Sequence, residues 1–339
     1  MIQSFKVSVL KITLENVNAI DSMVVGSDRN VYLGLSCSPP RYLLASYQPH
    51  NQRIEDCGVY FNSNKIHNSL VLTKNGKLYG GTWSWIKVHD NECRYSDFEG
   101  GHLFCYDVKE KSLTDLGTPF RHEQIFALTI DPNETALYGI SFPMKRFFSF
   151  QIATKEFKDI VELKGPLGDT TSHQIVCDNE GNVWGSQANG YLFQYNPKTG
   201  NFIETAIRLP KGEFHVDSIV RDDKTNLLYG GTVQNGILFV LNPTKKVLRT
   251  IGKAGTQGRL PAIAIDQEGY IFGATGSTIA SYFVYNPRND SIFDFGPIEN
   301  EAKNITAYRI HSMAINAEGT LFFGESDRYP FLYVCKREE

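Results

Sequence analysis

Three observations predict an all-β fold, a seven-bladed β-propeller with four-stranded antiparallel blades. One strand pattern recurs seven times along the 339 residues, no long stretch shows a helical period, and an unmatched N-terminal strand complements an incomplete last repeat. The recurring first strand reads SMVV from Ser22, SLVL from Ser69, ALTI from Ala127, QIVC from Gln174, SIVR from Ser218, AIAI from Ala262 and SMAI from Ser312. Successive starts lie about 44 to 58 residues apart, the spacing of propeller blades. Each copy runs into a polar turn (GSDRN, TKNGK, DPNET, DNEGN, DDKTN, DQEGY, NAEGT) and then an aromatic-glycine strand (VYLG, LYGG, LYGI, VWGS, LYGG, IFGA, LFFG). Alternating apolar residues punctuated by Gly, Asn and Pro are the signature of short strands and hairpins. The Tyr-Asn-Pro turns at Tyr195 and Tyr285 end third strands, because proline fixes φ and disfavours helix in the residue before it.

A lone four-stranded sheet of this kind exposes two apolar faces. Radial stacking buries both and leaves only short edges. The last copy offers three strands (Ser312 to Ile315, Leu321 to Gly324, Phe331 to Cys335) and lacks a fourth. The segment Phe5 to Ile12, FKVSVLKI, precedes the first copy and is expected to complete that blade, closing the ring within one domain of residues 1–339.

The composition is 41% hydrophobic and 21% charged, typical of a globular chain. A formal charge of −3 gives no electrostatic footprint for nucleic acid or anionic membrane. No apolar run approaches the ~20 residues of a membrane helix, and MIQSFKVSVLKI lacks the parts of a signal peptide. The six cysteines (Cys37, Cys57, Cys93, Cys105, Cys177, Cys335) form no metal-ligand spacing. They are read as reduced thiols, with Cys37 and Cys93 in loops, and the expected setting is cytoplasmic. Oligomeric state is not legible.

In a propeller the innermost strands start on the face where the loops between second and third strands open. Those loops vary here: Pro-rich at Ser38 to Arg41, long from Trp83 to Gly100, compact in blades four and five. Long variable loops on a rigid scaffold usually carry function. The residue before each innermost strand is Asp21, Asn68, Phe126, His173, Asp217, Pro261 or His311, with His67 one step further out and His215 and Arg309 two steps out. Four of the eight histidines are thus expected at one mouth of the central channel. Polar groups converging in a cleft form the default site hypothesis, although channel-lining side chains also serve simply to tie blades together. Trp83 and Trp85 at the rim offer faces for a sugar ring or cap the blade. Arg146, Arg309 and Arg328 are candidate carboxylate clamps. Tyr308 and Tyr329 are acid-base candidates or packing residues. A divalent metal held by histidines is left open, since spacing across blades cannot test it.

The segments KIHNSLV…GKLYGGT, GGHLFCYDVKEKSLTDLG, EQIFALTIDPNETALYGISFP and GESDRYPFLY resemble seven-bladed carbohydrate-active propellers, the ulvan lyase type acting on rhamnosyl-glucuronate linkages. The resemblance implies β-elimination on a uronate-containing oligo- or polysaccharide. His67 or His173 would act as base or acid with His311 assisting, an arginine would hold the carboxylate, and Asn68, Trp83, Trp85, His215, Asp217 and Tyr329 would line the subsite. Where that pattern calls for a histidine after the Gly-Thr of blade two, this chain has Trp83. The competing reading is a non-catalytic propeller that binds a ligand or protein partner through the same face.

Overall fold

The computed structural model describes residues 5–38, 42–84, 98–165, 171–253, 255, 258–276, 278–327 and 329–338, with the backbone of 88–89 and 92–93. Among the described residues, seven four-stranded antiparallel sheets follow one another along the chain. Blade 1 comprises strands Val17–Val25, Val31–Cys37, Leu44–Gln48 and Arg53–Asp56, and blades 2 to 6 repeat that inner-to-outer order. Each inner strand packs against the inner strands of its two neighbours, blade 7 against blade 1 included, so the sheets form a closed ring. Among the described residues two extra strand pairs, Val88–His89 with Glu92–Cys93 and Glu299–Asn300 with Ile305–Thr306, and one 3-10 turn at Glu301–Lys303 are the additions not expected from the repeat.

Closure follows the predicted route. Phe5–Lys11 pairs antiparallel with Phe331–Arg337, from Phe5 opposite Arg337 to Lys11 opposite Phe331, and becomes the outer strand of blade 7. Its free edge is covered by the hairpin at 299–306, where Asn300 donates to the Val7 carbonyl (2.6 Å) and Lys303 to that of Val9 (3.1 Å). An edge strand tied down in this way no longer offers a template to another chain.

The aromatic-glycine pattern has a packing cause. In blades 2 to 6 the second-strand glycine sits directly across from a phenylalanine of the third strand: Gly80 and Phe104, Gly139 and Phe148, Gly185 and Phe193, Gly230 and Phe239, Gly273 and Phe283. A Cβ at Gly230 would fall 2.2 Å from the Phe239 ring. Glycine is therefore the space into which each aromatic ring folds. Seven apolar clusters result, each shared between two adjacent blades. Six of the seven polar turns are capped from their first residue, as where Asp178 accepts from Asn182 (2.8 Å) and Asp266 from Tyr270 (2.9 Å). Their glycines, Gly181 and Gly269, adopt φ of +87°, a left-handed conformation that suits glycine.

Candidate ligand site at the funnel mouth

Inner-strand starts from separate blades bring three of the four predicted histidines together. The His67 ring lies 4.9 Å from His311 and 6.2 Å from His173, centroid to centroid, and stacks on Phe126 at 4.7 Å. These partners belong to blades 3, 4 and 7, so His67 reaches the channel axis. Nδ1 of His67 lies 3.2 Å from the Phe126 carbonyl, and Nδ1 of His311 lies 3.2 Å from that of Asp21. A carbonyl only accepts, so both Nδ1 atoms carry the proton and both rings present Nε2 as an acceptor. Burial pushes all three imidazoles towards the neutral form, with Lys65 and Arg259 acting the same way; His311 falls to about 4.

Two ion pairs flank the histidines. Lys65 reaches Asp21 at 3.2 Å, and Ser36 also donates to that carboxylate. Arg259 clamps Asp217 through Nε (2.7 Å) and a terminal nitrogen, which lies 2.8 Å from His173 Nδ1. His173 Nδ1 is also 3.0 Å from Asp217, but Arg259 already serves that carboxylate. The geometry therefore fits Arg259 donating to a neutral His173. Burial alone would raise the Asp217 pKa. The Arg259 charge and the hydrogen bonds that Arg259 donates outweigh it and hold the carboxyl far below the usual range.

Beside the histidines a cavity of about 380 Å³ opens over blades 5 to 7, lined among others by Arg259, Thr278, Arg309, His311, Ser326 and Asp327. That volume lies within the range of small-ligand sites. Arg309 pairs with Asp327 at 2.9 Å, and its buried Nε finds no acceptor among the described residues.

Other predicted residues fall elsewhere. Trp83 is only 9% exposed, packed against His67 (5.5 Å), Phe126 and Phe142, with the Lys65 ammonium 4.9 Å over its ring. Its faces are used inside the protein and do not form an open platform. Arg146 is taken up by Glu123 (3.0 Å) and Asp159 (2.8 Å) in blade 3. His215 meets Gln234 at 3.0 Å on blade 5, and Tyr329 stands exposed at the rim. Asn68 is buried beneath the histidines. Trp85 and Arg328 lie outside the described residues. No cluster of three or more metal-ligating side chains occurs among the described residues. Cys37, expected in a loop, ends the second strand of blade 1 and is buried.

Lys65 and Arg259 were not singled out from sequence. Arg259 stands at the same offset from its inner strand as His215 and Arg309, so the alignment contained the signal. Lys65 lies one step further out, where the chain bridges to both Ser36 of blade 1 and Trp83 of blade 2.

No protein-family model matches this chain, and no curated protein matches it. Solved structures do. The extracellular domain of a B. thetaiotaomicron protein described as a hybrid two-component system, BT4673, matches with a TM-score of 0.68 and 17% identity over 98% of this chain. The extracellular domain of a second such system, BT3049 of the same organism, matches with a TM-score of 0.66 and 10% identity over 96% of this chain. The fold is a seven-bladed propeller. The chain spans about two fifths of the neighbours' length, 39% and 41%. These neighbours correct the cytoplasmic expectation, since they are extracellular domains. The thiols behind that expectation have another cause: Cys37, Cys177 and Cys335 are buried in apolar packing.

Proposed function

We propose that this chain is a ligand-binding propeller, one domain over residues 1–339, that works in an extracellular setting and takes a small uncharged polar ligand of the saccharide class at the funnel cavity. The observation that carries this reading is the charge balance of the mouth. Lys65 is matched by Asp21, Arg259 by Asp217 and Arg309 by Asp327, while the three imidazoles are neutral. A site with matched charges and several neutral donors and acceptors suits hydroxyl groups. The Nε2 atom of His311 accepts, while the Arg309 Nε and the Ser326 and Thr278 hydroxyls donate. The structural neighbours, extracellular domains of two-component systems, support binding without chemistry.

Uronate β-elimination needs a cation to neutralise the substrate carboxylate before the α-proton becomes acidic. The described cations at the mouth are committed to protein carboxylates, which weighs against the lyase reading. The test is calorimetry of the full chain against neutral mono- and disaccharides and matching uronates, with absorbance followed in the unsaturated-uronate band. Saturable binding of a neutral sugar, weakened about tenfold in Arg309→Ala, without absorbance change, is expected. Turnover of a polyuronate that disappears in His67→Ala with His173→Ala would overturn the proposal and restore the lyase.

A further inference from the structure

The inner strands carry a second ring that the funnel does not use. The second residue of each aligned copy is Met23, Leu70, Leu128, Ile175, Ile219, Ile263 or Met313, a large aliphatic side chain from every blade. All seven line one cavity of about 410 Å³ on the channel axis. Each is between 4% and 8% exposed, and together they form an apolar band around the axis, with Thr129 and Gln174 also on the lining. Two of the seven are methionines, which adapt their shape to an occupant.

The ends of the cavity differ. On the funnel side the His67 ring, in contact with Phe126, His173 and His311, lies across the axis. On the opposite face the cavity runs out past Arg221 and Asp223, which pair with each other at 2.6 Å. Asn68 lines the inner end, is 7% exposed, and its Nδ2 meets no acceptor among the described residues. A buried amide donor left without a partner is costly, and each such group calls for an explanation. Ser22 and Ser312 also line the cavity but donate to the Ile66 (3.3 Å) and Ile20 (2.9 Å) carbonyls.

We propose that this channel is a second ligand site, entered from the face opposite the funnel, for an unbranched alkyl compound with one uncharged acceptor at its leading end, the class of medium-chain primary alcohols. A ring of seven aliphatic side chains around an axis encloses a narrow rod-shaped space, which a straight chain fills. A polyol would leave its hydroxyls unpaired along this wall. A leading carboxylate would lose its hydration for a single neutral donor, Asn68, which repays too little. The volume equals that of about fourteen water molecules at ~30 Å³ each, enough for a chain of this class.

The experiment is titration of the full chain with 1-butanol, 1-hexanol and 1-octanol, followed by calorimetry and by methyl NMR of Met23 and Met313. Affinity should rise about fourfold per added methylene, with tert-butanol and cyclohexanol gaining nothing. Ile219→Phe, which narrows the ring, should weaken 1-octanol at least tenfold while leaving saccharide binding at the funnel unchanged. Asn68→Leu should remove the preference of the site for 1-hexanol over 1-chlorohexane. Absence of saturable binding by the folded wild-type chain would overturn the proposal, and so would affinity independent of chain length. Asn68 holding only a water in a crystal soaked with 1-octanol would also overturn it.

Discussion

Acidification to pH 5 should destabilise this fold through its buried imidazoles, and His311 gives the magnitude. Its pKa is depressed from 6.5 to about 4, chiefly by burial, so the unfolded chain takes up this proton first. Stability is therefore full above pH 6.5 and falls as the pH drops from 6.5 towards 4. At 1.36 kcal/mol per unit, the full swing is about 3 kcal/mol, of which about 2 kcal/mol is lost by pH 5. Against a typical total of 5–15 kcal/mol this is a large fraction. His67 and His173 are depressed as well and act in the same direction. Asp217 is depressed too, so its contribution is lost only below the ordinary carboxylate range, a separate window. Glu123 is raised, mainly by burial, and acts with opposite sign. The assay is urea unfolding of wild type and His311→Gln at pH 7.5, 6 and 5. The wild type should lose about 2 kcal/mol more than the variant between pH 7.5 and 5, since His67, His173 and Glu123 are common to both. Parallel loss in the two proteins would refute the reasoning.

Other perturbations test the ring and its charges. Ser8 pairs with Val334, and because the Val7 and Val9 carbonyls face the hairpin at 299–306, the Ser8 backbone faces the ladder. Ser8→Pro removes a ladder donor and should therefore cost about 1–3 kcal/mol, read as a lowered melting temperature. Gly230→Ala drives a methyl into Phe239 and should cost about 1–3 kcal/mol, whereas the same change at the open Gly200 should be read through its φ of +72° alone. Asp217→Asn leaves Arg259 near a buried, uncharged partner. Since the Arg259 side chain is 29% exposed, the loss should sit near the low end of a broken buried pair, about 3 kcal/mol. Denaturation of the double variant Asp217→Leu, Arg259→Met should show much of that loss recovered.

How much of the molecule was legible in the sequence depends on the range of the interactions. Strand order, seven blades and closure through Phe5–Lys11 were readable because each rests on local grammar: alternation, turn residues and a missing fourth strand. The convergence of His67, His173 and His311 followed from their neighbouring offsets, His67 one position further out than the other two, since ring symmetry turns an offset into a place. Of the two readings open for Trp83, platform or cap, the sequence could not choose, because exposure at a rim position is set by what packs over it, here Lys65 and the rings of blade 3.

The sequence by itself determined the closed ring and the positions its side chains occupy around the channel, because backbone hydrogen bonding and period-2 burial act within a blade. Only the tertiary structure decided the electrical state of the mouth. Lys65 with Asp21 and Arg259 with Asp217 are partners more than 40 residues apart, on neighbouring blades. Their pairing depends on the stagger between sheets, which the repeat does not encode. That pairing, with burial keeping the imidazoles neutral, is what separates a site for an uncharged ligand from one built to neutralise a carboxylate.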